Sequence, residues 1–179
     1  MPTPPSKPSP ASDLGLAPLR LCVRKASVTP PHGLGARSGA ERGERAVEIS
    51  LRVPTDLEIV EEAVDLLARH CLASGLPPHT ARFNLRVVLA EALANAIIYG
   101  NRLDPEKSVD VRVVVSRTGL TVNVCDQGDG FDPSGVPDPT EPDRLELACG
   151  RGLFLIRKLV DEVRFNERGN AICMVLRRA

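Results

Sequence analysis

Between Val87 and Ile98 every residue is apolar except Glu91 and Asn95. They stand four positions apart, which on a helix puts both on one face, one turn apart. A carboxylate buried in such a stretch costs several kcal/mol unless it is paired or faces a wet cavity, and an unpaired amide costs ~1–3 kcal/mol. Folding alone gives little reason to keep both. Their chemistry suits the metal–phosphate end of a nucleotide site: the amide oxygen of Asn95 can ligate a hard cation beside phosphates, and Glu91 can polarise an attacking hydroxyl or water. An amphipathic helix with a narrow polar stripe would place the same two residues with no chemistry attached.

Two further groups carry chemistry. Asp126-Gln127-Gly128-Asp129-Gly130 directly follows the β-branched run Thr121 to Cys125. A carboxylate at a strand end can accept from an exocyclic amine, and Gly128 and Gly130 let backbone approach a flat ring; a plain turn has the same composition. A calcium loop would need oxygen ligands where Gly128 and Gly130 stand, and Pro137 occupies the place of its closing glutamate, so calcium is not expected. The third group is Gly150-Arg151-Gly152 at the start of a helical pattern. Backbone N–H groups at a helix N-terminus attract anions, and Arg151 can add a charged contact, although a loop-to-helix joint also uses glycine. Walker A, Rossmann, H-E-x-x-H and G-x-S-x-G patterns are absent, so the usual nucleotide and hydrolase sites do not compete.

The elements that must position these residues follow from period and punctuation. Val47, Ile49, Leu51 and Val53 alternate with polar residues up to Pro54, predicting a half-buried strand. A helix capped by Asp56 is expected to run to about Gly75, and a second, longer one from His79 or Thr80 to about Tyr99, closed by Gly100 and Asn101. Val109 to Ser116 and Leu120 to Cys125 form a predicted hairpin. Residues 131–149, with four prolines, read as a long loop. A helix from Gly152 to about Val160 and a closing hairpin, Val163 to Glu167 with Ala171 to Leu176, complete an α+β two-layer sandwich: a mainly antiparallel sheet with helices on one face.

Composition bounds the rest. The 23 basic and 23 acidic residues balance, so no net field draws the chain to nucleic acid or an anionic membrane, and neither is expected as a partner. The charge is uneven: residues 1–46 hold seven basic and three acidic side chains, so the remainder is mildly acidic. Half of the 16 prolines fall before residue 32, and residues 1–45 read as a disordered or loosely attached Pro/Ser/Gly-rich basic extension to a domain over 46–179. Gly33, Gly35 and Gly39 follow Pro30 and Pro31 rather than a strand, so they read as linker. The five cysteines lack a C-x-x-C pair and are expected as buried reduced thiols. No apolar run is expected to reach spanning length, and Met1 to Pro10 is not of secretory type, so a cytoplasmic protein is expected.

In this order, a helical E-x-x-x-N, then D-x-G-x-G, then a loop and G-x-G, the motifs resemble the GHKL (Bergerat-fold) ATPases, the superfamily of gyrase, Hsp90, histidine kinases and MutL. The stretches Glu91 to Asn101, Phe131 to Pro139 and Gly150 to Phe165 look most like the anti-sigma-factor serine kinases of RsbW and SpoIIAB type, over roughly residues 47–178. The resemblance implies ATP and Mg2+ as cofactors. Glu91 would be the general base acting on a serine of an anti-anti-sigma (STAS-domain) partner, and Asn95 the magnesium ligand. Asp126 would bind the adenine amine with Gly128 and Gly130 beside the ring, Gly150, Arg151 and Gly152 would bracket the phosphates, and residues 131–149 would form a lid. It also implies sequestration of a sigma factor and a homodimer. Two positions depart from the pattern: Tyr99 stands where many relatives have His, and Asn170 and Ala171 stand where a hydroxyl residue often reaches toward adenine.

Two other functions stay open on the residues. A nucleotide-responsive module could bind partners without phosphorylating them. A detached histidine-kinase catalytic domain or gyrase-like ATPase would keep the fold, but His32, His70 and His79 lie outside any phosphoacceptor helix pattern.

Overall fold

The computed structural model describes residues 19–28, 44–132 and 151–178. Within these, strands β1 (Arg20–Val28), β2 (Glu44–Pro54), β3 (Ser108–Val115), β4 (Gly119–Cys125), β5 (Glu162–Phe165) and β6 (Ala171–Arg177) form one sheet. Its order is β1-β2-β3-β4-β6-β5, and every neighbouring pair is antiparallel.

The period-two pattern decides which face is covered. Ile49, Leu51 and Val53 of β2, Val109, Val111, Val113 and Val115 of β3, Leu120, Val122 and Val124 of β4, and Met174 and Leu176 of β6 are buried together. Between them project Glu48, Arg52, Asp110 and Arg112, which pair across strands as Arg52 with Asp110 and Arg112 with Glu48, both at 2.7 Å. Exposed pairs of this kind contribute at most about 1 kcal/mol, so the buried face does the holding.

Helix α1 (Val60–Ala73) turns Ala63, Val64, Leu67, Ala68 and Cys71 to that face. It ends where Gly75 takes φ +89 and the N–H of Leu76 reaches back to Cys71 O at 3.0 Å, a terminus that glycine makes easily. Helix α2 (Thr80–Gly100) is regular over Leu85–Asn95 and opens into wider turns at both ends. Leu85, Val88, Leu89, Leu93 and Ile97 are wholly buried. Helix α3 (Arg151–Leu159) packs beside it through Leu153 and Ile156.

Several expectations meet the structure here. The α+β architecture, the first predicted strand and the three helices stand as expected. Asp56 accepts from Glu58 N at 2.9 Å rather than capping α1, whose N-cap position is Ile59. Residues 1–45 are not all loosely attached: Arg20–Val28 is a strand, with Leu21 opposite Leu51 and Val23 opposite Ile49. Residues 1–18 and 29–43, including the glycines of the linker reading, lie outside the described residues. By length and composition α2 could span a bilayer, contrary to expectation. Its buried apolar residues pack on the sheet below it and on α1 and α3 at its flanks, whereas Phe83 and Tyr99 are exposed. Of the cysteines, Cys71 is buried and its thiol is pushed up to about 12 by burial, which keeps it inert. Cys125 and Cys173 are half-buried, whereas Cys22 is exposed because it points away from the covered face. Cys149 lies outside the described residues.

Leu89 sits at the centre of this packing with no exposed surface. Leu89→Ala is expected to lower the unfolding free energy by about 2–5 kcal/mol, read as a shift of the urea midpoint at unchanged slope.

Candidate functional site

Helix α2 carries the site along one side. Glu91 and Asn95 are half-buried, and the start of α3 lies against them. A Cβ added at Gly152 would lie 3.3 Å from Glu91 Cδ and 3.5 Å from Asn95 Nδ2, and would collide with Glu91 Oε2. Glycine at 152 leaves the Glu91 carboxylate room in this position. The other end of α3 is tied down by Asn84, whose Nδ2 donates to Leu159 O at 3.2 Å.

Nine residues beyond Glu91, or ~13 Å along the helix axis, α2 ends against the Asp126 turn. Gly100 has no room for a side chain, since a Cβ there would fall 2.7 Å from Asp126 Oδ1, and one at Gly128 would strike Gly100 O. The β4–β6 register sets Cys125 opposite Ala171, so Asp126 emerges beside Asn170. Asp126 N donates to Asn170 O at 3.0 Å and Gly128 N donates to Asp126 Oδ1 at 2.8 Å. Gly130, at φ +82, packs its backbone on Arg168 O. Burial holds the Asp126 carboxyl above the ordinary aspartate range, and the Gly128 N–H opposes that only in part.

Between these two ends lies a cavity of about 660 Å³, within the ~300–1,000 Å³ usual for small-molecule sites. Glu91, Asn95, Arg151 and Gly152 line one end, and Asp126, Gly130, Asn170 and two phenylalanines line the other. Phe131 and Phe165 meet edge to face, with centroids 5.4 Å apart, and supply an apolar wall for a planar ring. The donor set suits a nucleotide with magnesium. Among the described residues no three His, Cys, Asp or Glu side chains gather into a metal cage. Magnesium needs none, because one or two protein oxygens, phosphates and water complete its shell.

This fold and cavity place the chain among ATP-binding domains. The family model described as histidine kinase-like ATPase domain matches residues 53–176, and the chain belongs to that family. It is similar to three proteins named serine-protein kinase RsbW. The one from Oceanobacillus iheyensis is 26% identical over 133 residues, covering 71% of this chain and 84% of the relative. The one from Bacillus subtilis is 32% identical over 99 residues, covering 51% of this chain and 61% of the relative. The third, from Bacillus licheniformis, is 36% identical over 89 residues, covering 45% and 54%. The chain thus spans less than two thirds of both Bacillus relatives.

The structure brings Glu91, Asn95, Asp126, Gly130, Arg151 and Gly152 to one cavity. Gly128 lies behind the wall under Gly100. Gly150 and residues 133–149 of the expected lid are outside the described residues. Tyr99 is exposed at the rim. Not anticipated from sequence are Gly100 as the floor under Asp126, wholly buried Asn101, and Asn170 as a partner of Asp126. Gly100 and Asn101 read only as a helix stop. The signal that could have found them is a polar residue directly after a long apolar helix.

Since the folded carboxyl of Asp126 binds its proton more tightly than the unfolded chain does, its ionisation opposes folding above the raised value. That penalty fades as pH falls toward the ordinary aspartate value. Asp126→Asn is therefore expected to leave stability at pH 7 unchanged or higher, and to weaken ATP binding about 10- to 100-fold through loss of a charged acceptor. Chemical denaturation and titration calorimetry check the two arms, and a destabilised variant with intact affinity would contradict both.

Proposed function

We propose that this chain is an ATP- and magnesium-dependent protein serine kinase that also acts as an anti-sigma factor in the cytoplasm. In this reading it phosphorylates a STAS-domain anti-anti-sigma protein and sequesters a sigma factor, working as a homodimer. The observation that carries the reading is the pair Glu91 and Asn95, half-buried at the end of the cavity where α3 begins. The similarity to proteins named serine-protein kinase adds to it.

The roles follow from position. Asp126 would receive the exocyclic amine of the base, and Phe131 and Phe165 would lie against the ring. Asn95 offers its amide oxygen to magnesium, and Arg151 with the N-terminus of α3 faces the phosphates. Bound Mg-ATP supplies the transferable phosphoryl group and the positive charge that offsets its oxygens. Glu91 would take the proton from the serine hydroxyl of the partner, whose oxygen would bond to the terminal phosphorus as the bond to the bridging oxygen breaks and ADP leaves. The narrow approach over Gly152 keeps the carboxylate in place, since any side chain there would displace it.

Purified protein with radiolabelled ATP, magnesium and STAS-domain proteins from the same genome is expected to label a serine on one of them. Glu91→Gln is expected to reduce transfer at least ~100-fold while nucleotide affinity stays within ~3-fold. Nucleotide binding without any label on the partner would replace the kinase reading with that of a nucleotide-responsive binding module.

A further inference from the structure

The peptide unit joining Asp126 to Gln127 is gripped from both sides by side-chain amides. Its carbonyl accepts from Asn170 Nδ2 at 2.9 Å, and its N–H donates to Asn101 Oδ1 at 2.8 Å. A peptide unit is planar, so holding both polar groups fixes the plane. With the plane goes the direction in which the Asp126 side chain leaves the backbone.

Each amide is locked in turn. Asn101 has no exposed surface, and its Nδ2 donates to Thr55 Oγ1 at 2.9 Å and Ser108 O at 3.1 Å. Its own N–H donates to Ala96 O at 2.7 Å, and Thr55 Oγ1 donates its proton to Lys107 O at 2.8 Å. Both amide protons and the oxygen are thus engaged, and a flipped amide would forfeit all three bonds. On the opposite flank, Asn170 Oδ1 accepts from Asn166 Nδ2 at 2.8 Å and Asn170 O accepts from Asp126 N at 3.0 Å. The backbone after Asn101 runs through two left-handed non-glycine residues, Arg102 at φ 57 and Leu103 at φ 58. Such conformations persist where surrounding bonds over-determine them.

We propose that Asn101 and Asn170 are positioning residues for base selection: they act through the Asp126–Gln127 peptide to aim the Asp126 carboxylate at the exocyclic amine. The proposal rests on the reading of Asp126 as the amine acceptor. It gives Asn170 a role through the backbone of Asp126, so that base selection needs no direct contact from its side chain.

The test compares ATP, inosine triphosphate, whose base carries an oxygen in place of the amine, and tripolyphosphate, which has no base. Affinities are measured by calorimetry with magnesium for the full chain and for Asn170→Ala, Asn170→Asp and Asn101→Ala, beside thermal unfolding. The unaltered protein is expected to prefer ATP to inosine triphosphate by about 10-fold or more, as loss of a hydrogen bond to a charged group implies. Each alanine variant is expected to lose most of that preference by weakening for ATP about 10-fold, with the other two ligands held within ~2-fold. Asn170→Asp keeps the shape and loses the donor, so its ratio of ATP to inosine triphosphate affinity should match that of Asn170→Ala, while its added charge weakens all three anionic ligands by a common factor that this ratio removes. Should Asn101→Ala fail to fold, the Asn170 variants decide, because that residue lies at a half-exposed turn. An undiminished preference in folded variants overturns the proposal, as does equal weakening for all three ligands, which is what a purely structural role gives. If the unaltered protein itself shows no preference, the reading of Asp126 fails and the clamp falls with it. That result is distinct, because it needs no variant.

Discussion

The end of α2 meets the Asp126 turn with no side chain between them, and the rest of the site depends on that contact. Gly100 lies under the carboxylate and Gly128 lies on the carbonyl of Gly100, so two backbones approach as closely as atoms permit. Contact of this kind excludes water from peptide groups, which must then find partners inside the protein. Asn101 supplies them: one buried side chain joins the end of α2, the end of β2, the start of β3 and the Asp126 turn. A buried amide with every group paired is tolerated and makes a junction rigid, whereas one left unpaired would cost ~1–3 kcal/mol. The same residue that ends the helix therefore fixes the far end of the cavity.

The near end is set differently. Glu91 and Asn95 belong to a helix whose other faces are committed to the core, so their positions are as firm as the packing of Leu89 and Leu93. Beside them lies α3, held to α2 by Asn84 at one end and close to Glu91 at Gly152 at the other. A rigid helix thus spans both ends of the cavity, and its length from Glu91 to Gly100 sets how far Glu91 stands from the Asp126 turn. Asp126 shows what this rigidity costs. Its carboxyl is held in a half-buried place that disfavours its charge, and shifts of this kind gather at functional sites.

Much of this architecture is legible in the residues alone. Alternation in Val47 to Val53 and the apolar period of Thr80 to Gly100 report burial, which dominates folding energy, so strands and helices follow from them. Glu91 and Asn95 stand out because polar groups in a greasy run demand explanation. Residues 20–28 stand out less: Leu19, Leu21 and Val23 alternate with Arg20, Cys22 and Arg24, but Lys25 breaks the phase, and the strand is completed by pairing with β2, a tertiary effect that local composition does not record. Asn101 and Asn170 are hidden for a related reason. Their partners are backbone groups of distant segments, and a backbone group has no residue type for a motif to name. Gly128 illustrates the converse, since its place in D-x-G-x-G is plain while its reason, clearance for Gly100, emerges only when the two segments are folded together.

The placement of β1 bears on how a family domain acquires individuality. The match to the family spans residues 53–176, leaving β1 and most of β2 outside it. In the sheet, β1 lies three strands from β4, which leads into Asp126, or ~14 Å at the usual strand spacing. The cavity lies on the side where α2, α3 and the Asp126 turn converge. The opposite edge can be extended by a strand carrying Arg20, Arg24 and Lys25 without moving any residue that lines the cavity. Constraint therefore concentrates at the Gly100–Asp126 contact and relaxes toward β1, because the hydrogen bonds of Asn101 stop at β2 and β3.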